Sequence, residues 1–248
     1  MNNHFIFIVL LTMMAVFSGK CGSETNRNST DSTSTTFNRV DSTSTTLQYV
    51  DDSHSYLKCP DGKHPHLIDL GLPSGTKWAC CNMGADSPED FGAYYSWGET
   101  EPKDKYGCDN YIYRGSSHDT QINLGENICG TKYDVVHVKW GGSWQMPSFW
   151  QMEELLNNCS YEWAEVNGVG GRKFTASNGG SIFLPAAGIR YMKRPPLTGR
   201  GGEYWTGTHY PEPEHVNLAY VLSFYGNGNE LYYCDRCYGL SIRPVAKK

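Results

Sequence analysis

Residues 172–186 read RKFTASNGGSIFLPA, and this stretch predicts a β-hairpin. Two short runs rich in apolar residues flank the turn SNGG at 177–180, where Asn-Gly supplies the positive φ that a tight hairpin needs. Residues 218–234, LAYVLSFYGNGNELYYC, repeat the pattern around GNGN at 226–229. Because such hairpins build antiparallel sheets, we expect short strands to dominate this part of the chain.

A helix is predicted immediately after Pro147. Ser148 is suited to the N-cap, and Gln151 three residues later completes a capping box. Apolar residues follow at helical spacing, namely Met152, Leu155, Leu156 and Cys159. A second, shorter helix is expected to start in residues 87–90, and residues 239–245, GLSIRPV, are expected to form the last strand. The predicted fold class is therefore α+β, built on antiparallel hairpins with one or two helices.

Composition narrows the classes of partner. The 248 residues carry 26 acidic and 21 basic side chains, a formal net charge of −5, and 13% aromatic residues. A chain with this balance has no overall attraction to a phosphate backbone, so nucleic acid is not expected as a partner. The many aromatic residues favour a globular domain with a large aromatic core.

The N-terminus resembles an export signal. Residues 5–17, FIFIVLLTMMAVF, are uncharged, too short to cross a bilayer, and have the length of a signal-peptide hydrophobic region. Residues 1–20 are therefore predicted as a signal peptide, and the protein is expected outside the cytoplasm, secreted or anchored at the cell surface. Cys21 raises lipid attachment as an alternative to free secretion. No later stretch is long enough to predict a transmembrane span in the mature chain.

Residues 21–63 are predicted to be a flexible linker. They contain a ten-residue repeat, DSTSTTFNRV at 31–40 and DSTSTTLQYV at 41–50, in a region dominated by Ser and Thr. Such a segment cannot bury enough surface to offset the entropy of ordering it. Ser32 and Ser42 resemble O-glycosylation acceptors of Bacteroidetes, and a bare polar spacer is the alternative.

The cysteines favour disulfides. Eight follow Cys21, and an even number in an exported chain is typical of bridges. They are Cys59, Cys80, Cys81, Cys108, Cys129, Cys159, Cys234 and Cys237. Their pairing cannot be deduced from the sequence. Cys234 and Cys237 have the spacing of redox and zinc motifs, which leaves those readings as alternatives.

Six ordered segments resemble a known family. They are residues 67–79 (LIDLGLPSGTKWA), 91–100 (FGAYYSWGET), 144–148 (WQMPS), 181–188 (SIFLPAAG), 202–208 (GEYWTGT) and 239–245 (GLSIRPV). Together they resemble the Fibrobacter succinogenes major paralogous domain, which is abundant in exported Bacteroidetes proteins. The resemblance covers nearly all of residues 64–246, which we expect to form one domain.

The resemblance carries expectations about fold and function. The family is similar to the C-type-lectin-like and sulfatase-modifying-factor group, which implies a single C-type-lectin-like domain whose N- and C-terminal strands pair. It implies a surface, adhesion or ligand-binding module rather than an enzyme. Residues 141–144, GGSW, resemble a stretch of the formylglycine-generating enzymes, whose reactive cysteine pair binds copper. Cys234 and Cys237 are the only late pair available, so an oxidoreductase of that kind stays open as an alternative.

Binding is expected in the loops of residues 190–217. Residues 190–203, RYMKRPPLTGRGGE, are basic and rich in Gly and Pro, and they lead into two aromatic residues and the loop 209–217. Loops on a rigid scaffold carry binding, and Tyr, Trp and Arg dominate binding hot spots. The candidate ligand-binding residues are Arg190, Tyr191, Tyr204, Trp205, His209, Glu212, Glu214 and Asn217.

Calcium is the metal that the loop 209–217 raises. Glu212, Glu214 and Asn217 resemble the first sugar-binding element of calcium-dependent lectins, and carboxylate and amide oxygens suit Ca²⁺. The second element of those lectins is missing, so an acidic loop without metal is the preferred interpretation and calcium is the alternative. No other cofactor is expected.

The sequence contains no pattern typical of a catalytic site. No Gly-x-Ser-x-Gly elbow occurs, no Gly-rich phosphate loop precedes a helix, and the histidines are scattered. The leading hypothesis is a non-catalytic surface module that binds an extracellular glycan or protein. The alternative is an assembly subunit of a surface appendage, in which an edge strand pairs with a partner.

Overall fold

The computed structural model describes residues 66–116, 121–193, 196 and 198–246. All of them belong to the compact unit of residues 51–248. The predicted signal peptide and linker lie outside the described residues, as do Cys21, Ser32, Ser42 and Cys59. Among the described residues, none of the helices has the length and apolar character needed to cross a bilayer.

Ten strands and two helices form in the described residues. In chain order they are β1 (Leu67–Asp69), β2 (Lys77–Ala79), α1 (Val135–Trp140), β3 (Trp144–Gln145), α2 (Phe149–Asn158), β4 (Cys159–Val166), β5 (Val169–Ala176), β6 (Ser181–Pro185), β7 (Gly201–His209), β8 (Leu218–Tyr225), β9 (Gly228–Asp235) and β10 (Val245–Ala246). Their sheets are antiparallel, in the orders β1-β2-β10-β3, β4-β5-β6 and β7-β8-β9. The α+β prediction is confirmed.

Both predicted hairpins form. β5 pairs with β6 around the SNGG turn, with Thr175 opposite Ser181, and β8 pairs with β9 with Tyr225 opposite Gly228. β10 pairs with β2, so the pairing of N- and C-terminal strands is also confirmed. Within the predicted last strand, residues 239–241 make isolated bridges to other segments, and only Val245 joins a regular strand.

The predicted helix α2 begins at its capping box. The Ser148 side chain accepts the Gln151 N–H, and the Gln151 side chain accepts the Ser148 N–H in return. The predicted helix at 87–90 is wrong, because these residues form only a turn closed by the Asp90 N–H to the Ser87 carbonyl. One turn fixes several dihedral angles for a single hydrogen bond, so it does not propagate without further packing.

Helix α1 was not anticipated from the sequence. Its N-cap is Asp134, a buried residue whose carboxylate accepts the N–H groups of Val136 and His137. The second carboxylate oxygen accepts the N–H groups of Gly130 and Met146, each at 2.8 Å. Asp134 therefore caps the helix and joins it to the start of the segment that leads into α2.

A buried arginine joins the terminal sheet to the first hairpin. The Arg243 guanidinium donates from Nε to Asn82 Oδ1 at 2.9 Å and from Nη1 to the carbonyls of Cys80 and Ala79, at 2.7 and 3.2 Å. From Nη2 it donates to the Phe183 carbonyl at 2.8 Å. These acceptors lie at the end of β2, directly after it and on β6, so one side chain fixes both elements relative to the C-terminal segment.

The same network continues to β7. The Asn82 amide donates to the Tyr204 hydroxyl at 3.2 Å and to the Phe91 carbonyl at 3.0 Å. The Tyr204 hydroxyl in turn donates to the Pro185 carbonyl at 2.7 Å. Each buried polar group here has a partner, which is the condition for burying such a network without a large cost.

One disulfide forms among the described cysteines whose bonding is defined. Cys108 and Cys237 are bonded, with their Cα atoms 5.0 Å apart at a sequence separation of 129. This agrees with the expected disulfide chemistry. Cys159 and Cys234 are thiols instead, and burial raises the pKa of each. They pack into different apolar clusters and so do not meet each other. Cys80 and Cys81 are buried, and Cys129 is half-buried.

The arginine network can be tested by Arg243→Lys. A lysine ammonium cannot reach four acceptors arranged around a planar guanidinium, so buried carbonyls lose their donors. We expect the free energy of unfolding, measured by urea denaturation, to fall by about 2–4 kcal/mol. Arg114→Lys, at an exposed position, is the matched control and should change it by less than about 0.5 kcal/mol. Equal stability of the two variants would contradict the role given to Arg243.

Candidate functional site

Two of the predicted ligand-binding residues belong to the core. Tyr204 and Trp205 are both 0% exposed, so their assignment to a binding surface is wrong. Successive residues of a strand point to opposite faces, and both faces of β7 are covered: Tyr204 packs into one apolar cluster and Trp205 into the other. The Trp205 indole donates to the Tyr95 carbonyl at 2.8 Å.

Asn217 is also a structural residue. It is buried, its amide donates to Asp235 Oδ1 at 2.7 Å, and its carbonyl accepts the Arg236 N–H at 2.8 Å. Glu212 and Glu214 are exposed on the same loop, whereas the Asn217 amide is engaged with Asp235. Nowhere in the described residues do three or more His, Cys, Asp or Glu side chains group as a metal site would require.

Arg190 and Tyr191 are the first two residues of the basic segment 190–203, and both are half-buried. The Arg190 guanidinium lies over the rings of Tyr94 and Tyr106, 5.5 and 5.7 Å from their centroids. The Tyr191 ring meets Tyr238 edge to face, with centroids 4.7 Å apart. These two predicted residues are thus accessible and held in place by aromatic neighbours.

His209 and Glu212 line a cleft of about 160 Å³. Its walls are Asn123, Gly125, Glu126, His209, Pro211, Glu212, Pro213, Val216 and Arg236. His209 Nε2 lies 3.1 Å from the Val216 carbonyl oxygen, and burial lowers the pKa of the imidazole. The cleft therefore combines an imidazole whose protonation is disfavoured by burial with the carboxylates of Glu126 and Glu212.

Arg236 fixes the walls of this cleft. Its guanidinium lies 4.6 Å from the Trp97 ring centroid and donates to the Tyr111 hydroxyl at 3.1 Å. It also donates to the carbonyls of Val216 and Ile122, at 3.0 and 3.1 Å. These contacts join the loop 209–217 to the segment before Asn123. Nothing in the sequence between Cys234 and Cys237 singled out this arginine for that role.

Beside the loop 209–217 runs a continuous row of aromatic side chains, here called the aromatic ridge. Its members are Phe149, Trp150, Tyr210, Tyr220, Tyr232 and Tyr233. Neighbouring ring centroids lie 4.4–5.3 Å apart along the row from Trp150 to Tyr232. Trp150 is 69% exposed and Tyr232 36% exposed, while the rings between them are partly exposed. The ridge is thus a surface of rings that support one another.

Three separate elements supply the ridge. Phe149 and Trp150 are the first two residues of helix α2, directly after its N-cap. Tyr220 on β8 is paired with Tyr233 on β9, and Tyr210 directly follows β7. The hairpin register could have brought Tyr220 and Tyr233 together in a sequence-based prediction. That the first residues of α2 join them could not have been foreseen, because it depends on tertiary packing.

Comparison of the chain with protein-family models, with curated proteins and with solved structures found no match.

One carboxyl group of the segment 190–203 has an unusual environment. Burial raises the pKa of Glu203 from its usual value near 4.5 to about 7, opposed by a hydrogen bond that the Ser223 hydroxyl donates at 3.2 Å. Glu230 raises this pKa further. Glu203, Ser223 and Glu230 occupy facing positions on β7, β8 and β9. The sheet therefore holds a carboxyl that changes charge near neutral pH.

Glu203 is expected to make stability depend on pH. A carboxyl whose pKa is higher in the folded state stabilises fully below about pH 4.5, and this contribution is lost as the pH rises through about 7. Glu203→Gln removes the ionisation, so the variant should gain about 1–3 kcal/mol over the parent between pH 5 and pH 8. Urea denaturation across that range measures the difference. With Glu214→Gln, an exposed control on the loop, the difference should stay constant; a flat difference for Glu203→Gln would refute the assignment.

Proposed function

We propose that this chain is an exported, non-catalytic binding module of the cell surface that recognises a glycan through the aromatic ridge and the adjoining loops. The observation that carries the proposal is the row of six touching, solvent-accessible rings. Contiguous apolar patches on soluble proteins mark interaction sites, and Tyr and Trp are the residues that most often dominate them.

The chemistry of the ridge favours a sugar. Four of its six members are tyrosines, so ring faces able to cover the C–H faces of a pyranose stand beside hydroxyls able to exchange hydrogen bonds with sugar hydroxyls. Each ring is held by its neighbours, with centroid separations of 4.4 Å between Tyr232 and Tyr233 and 5.1 Å between Phe149 and Trp150. Rings that are already ordered lose little conformational entropy on binding.

We also propose that the domain is C-type-lectin-like and related to the Fibrobacter succinogenes major paralogous domains. Two features support this. The terminal strands of the domain pair through β2 and β10, as the resemblance implies. The hydrogen-bond network of Arg243, Asn82 and Tyr204 also joins the segments that carry the resemblance. Export is proposed from the uncharged apolar stretch of residues 5–17.

The state of the late cysteines argues against the formylglycine-generating alternative. A copper-binding pair of the formylglycine-generating kind needs two available thiolates. Cys237 is engaged in the disulfide with Cys108, and burial raises the pKa of the Cys234 thiol well above its ordinary value. In this redox state the two sulfur atoms cannot act together as a thiolate pair.

The double variant Trp150→Ala, Tyr232→Ala tests the ridge. Each truncation removes one end of the stacking surface, and we expect the affinity for a glycan to fall at least about tenfold. The measurement is binding of the purified protein to a polysaccharide panel by affinity electrophoresis or calorimetry. Tyr225→Ala is the control, because Tyr225 is 65% exposed but is not part of the ridge. Unchanged glycan affinity in the double variant, or binding to proteins only, would overturn the proposal.

A second candidate function is assembly, and strand β4 favours it. β4 is an eight-residue edge that pairs only with β5 among the described strands, and Ser160 to Trp163 are exposed along it. An edge of this length carries unpaired backbone groups that can accept a strand from another chain. Tyr161 and Trp163 add apolar surface beside this edge.

Assembly through β4 predicts concentration-dependent oligomers in sedimentation velocity. A lysine on an edge strand opposes strand addition, so Ser160→Lys should shift the distribution toward monomer. Thr198→Lys adds the same charge at an exposed position away from β4 and should leave the distribution unchanged. A parent protein that stays monomeric at every accessible concentration, or that oligomerises equally in both variants, would exclude this function.

A further inference from the structure

Residues 190–200, RYMKRPPLTGR, form a segment with a concentrated positive charge, here called the basic strap. It contains Arg190, Lys193, Arg194 and Arg200 and no acidic residue, in a chain whose formal net charge is −5. A local field of this kind attracts anions even when the whole protein is acidic. The strap therefore carries a net positive charge, whereas the chain as a whole carries a net negative charge.

Hydrogen bonds anchor the strap near both of its ends. Arg190 exchanges N–H and carbonyl hydrogen bonds with Gly239, at 2.8 and 2.9 Å. Met192 exchanges a second such pair with Tyr106, and near the other end the Gly199 N–H donates to the Ala186 carbonyl at 2.8 Å. The backbone at residues 190, 192 and 199 is thereby held in place before any ligand binds.

The strap cations at 190, 193 and 200 have no acidic partner among the described residues. Elsewhere five lysines form ion pairs with carboxylates, namely Lys77, Lys103, Lys105, Lys139 and Lys173. Arg190, Lys193 and Arg200 form no such pair within the described part of the chain. Lys193 and Arg200 are exposed, so their charges face solvent uncompensated.

Arg190 provides the most specific feature. Its guanidinium lies over Tyr94 and Tyr106, and its buried Nε atom has no hydrogen-bond partner among the described residues. A buried donor without an acceptor is costly, and a guanidinium is suited to a planar carboxylate or a sulfate. Tyr191, stacked edge to face on Tyr238, places a partly exposed ring next to this cation.

We infer that the basic strap is a binding site for an acidic polysaccharide, one whose sugars carry carboxylates or sulfates. The cations at 190, 193 and 200 pair with the anionic groups, and Tyr191 contacts a sugar ring. This inference rests on the proposed glycan-binding function and gives it a ligand class. It uses residues outside the aromatic ridge, so the two can be tested separately.

The test compares the purified full protein with the variant Arg190→Gln, Lys193→Gln, Arg200→Gln. Its probes are polygalacturonate for carboxylates, heparin for sulfates, dextran as a neutral polymer and anionic phospholipid vesicles. We expect the parent to bind at least one acidic polymer, with an affinity that falls at least about tenfold between 50 and 300 mM NaCl because salt screens the charges. The triple variant should lose at least about tenfold in affinity at low salt.

Two further variants serve as controls. Lys193→Gln, Arg200→Gln changes only exposed side chains, so it keeps the inference testable if the Arg190 substitution disturbs folding, and it should still lose about fivefold. Arg114→Gln, Lys132→Gln, Lys173→Gln changes the net charge by the same amount as the triple variant. That control should change affinity less than about twofold if the location of the charge matters.

The outcomes separate the inference from the proposed function. Binding of polygalacturonate alone or heparin alone supports the inference and identifies the anionic group. Equal losses in the triple variant and its charge-matched control would overturn it, as would binding of anionic phospholipid vesicles without any acidic polysaccharide. Binding of neutral glycan that needs Trp150 and Tyr232, with no acidic polymer bound, would overturn the inference and leave the proposed function intact. No binding to any polysaccharide would overturn both.

Discussion

The fold depends on a buried guanidinium that is satisfied by neutral acceptors. Arg243 is fully buried, yet its hydrogen-bond partners include three backbone carbonyls and the side-chain oxygen of Asn82. A desolvated cation is tolerated only when its donors are matched, so every segment that supplies an acceptor is constrained to one position. Those segments come from β2, β6 and the C-terminal chain, which are far apart in sequence. Through Asn82 the constraint extends to Tyr204 on β7.

Two other buried arginines act in a similar way. Arg172 donates to the carbonyls of Gly226 and Gly228, which joins β5 to the turn between β8 and β9. Arg236 lies on Trp97 and joins the loop 209–217 to the segment around Ile122. Each guanidinium presents several donors in a fixed plane, so it can gather carbonyls from different loops that lack regular secondary structure. Tyr210 of the aromatic ridge lies on the loop that Arg236 holds, whereas the basic strap is anchored by backbone hydrogen bonds instead.

The aromatic ridge and the basic strap illustrate two kinds of surface on one scaffold. The ridge is uncharged, and its rings support one another, so its contribution to binding would come from stacking and from tyrosine hydroxyls. The strap is charged and anchored through its backbone, so its contribution would depend on ionic strength. The cleft lined by His209 is a third feature of this surface; it is concave, and Arg236 fixes its walls. A ligand with both sugar rings and anionic groups would match the chemistry of the first two.

Local patterns alone determined a large part of this fold. The glycine-containing turns at 177–180 and 226–229 predicted both hairpins, because a tight turn needs a positive φ, which Gly179 and Gly226 supply. Ser148 and Gln151 predicted the start of α2 for the same reason, since a capping box satisfies backbone groups within one turn. Only the tertiary structure decided which aromatic residues face solvent. Tyr204 and Trp205 looked like ligand contacts but are enclosed from both faces of β7, whereas Trp150, placed on a helix, is exposed. Burial of a side chain depends on what packs over it from elsewhere in the chain, and that information has no local signature.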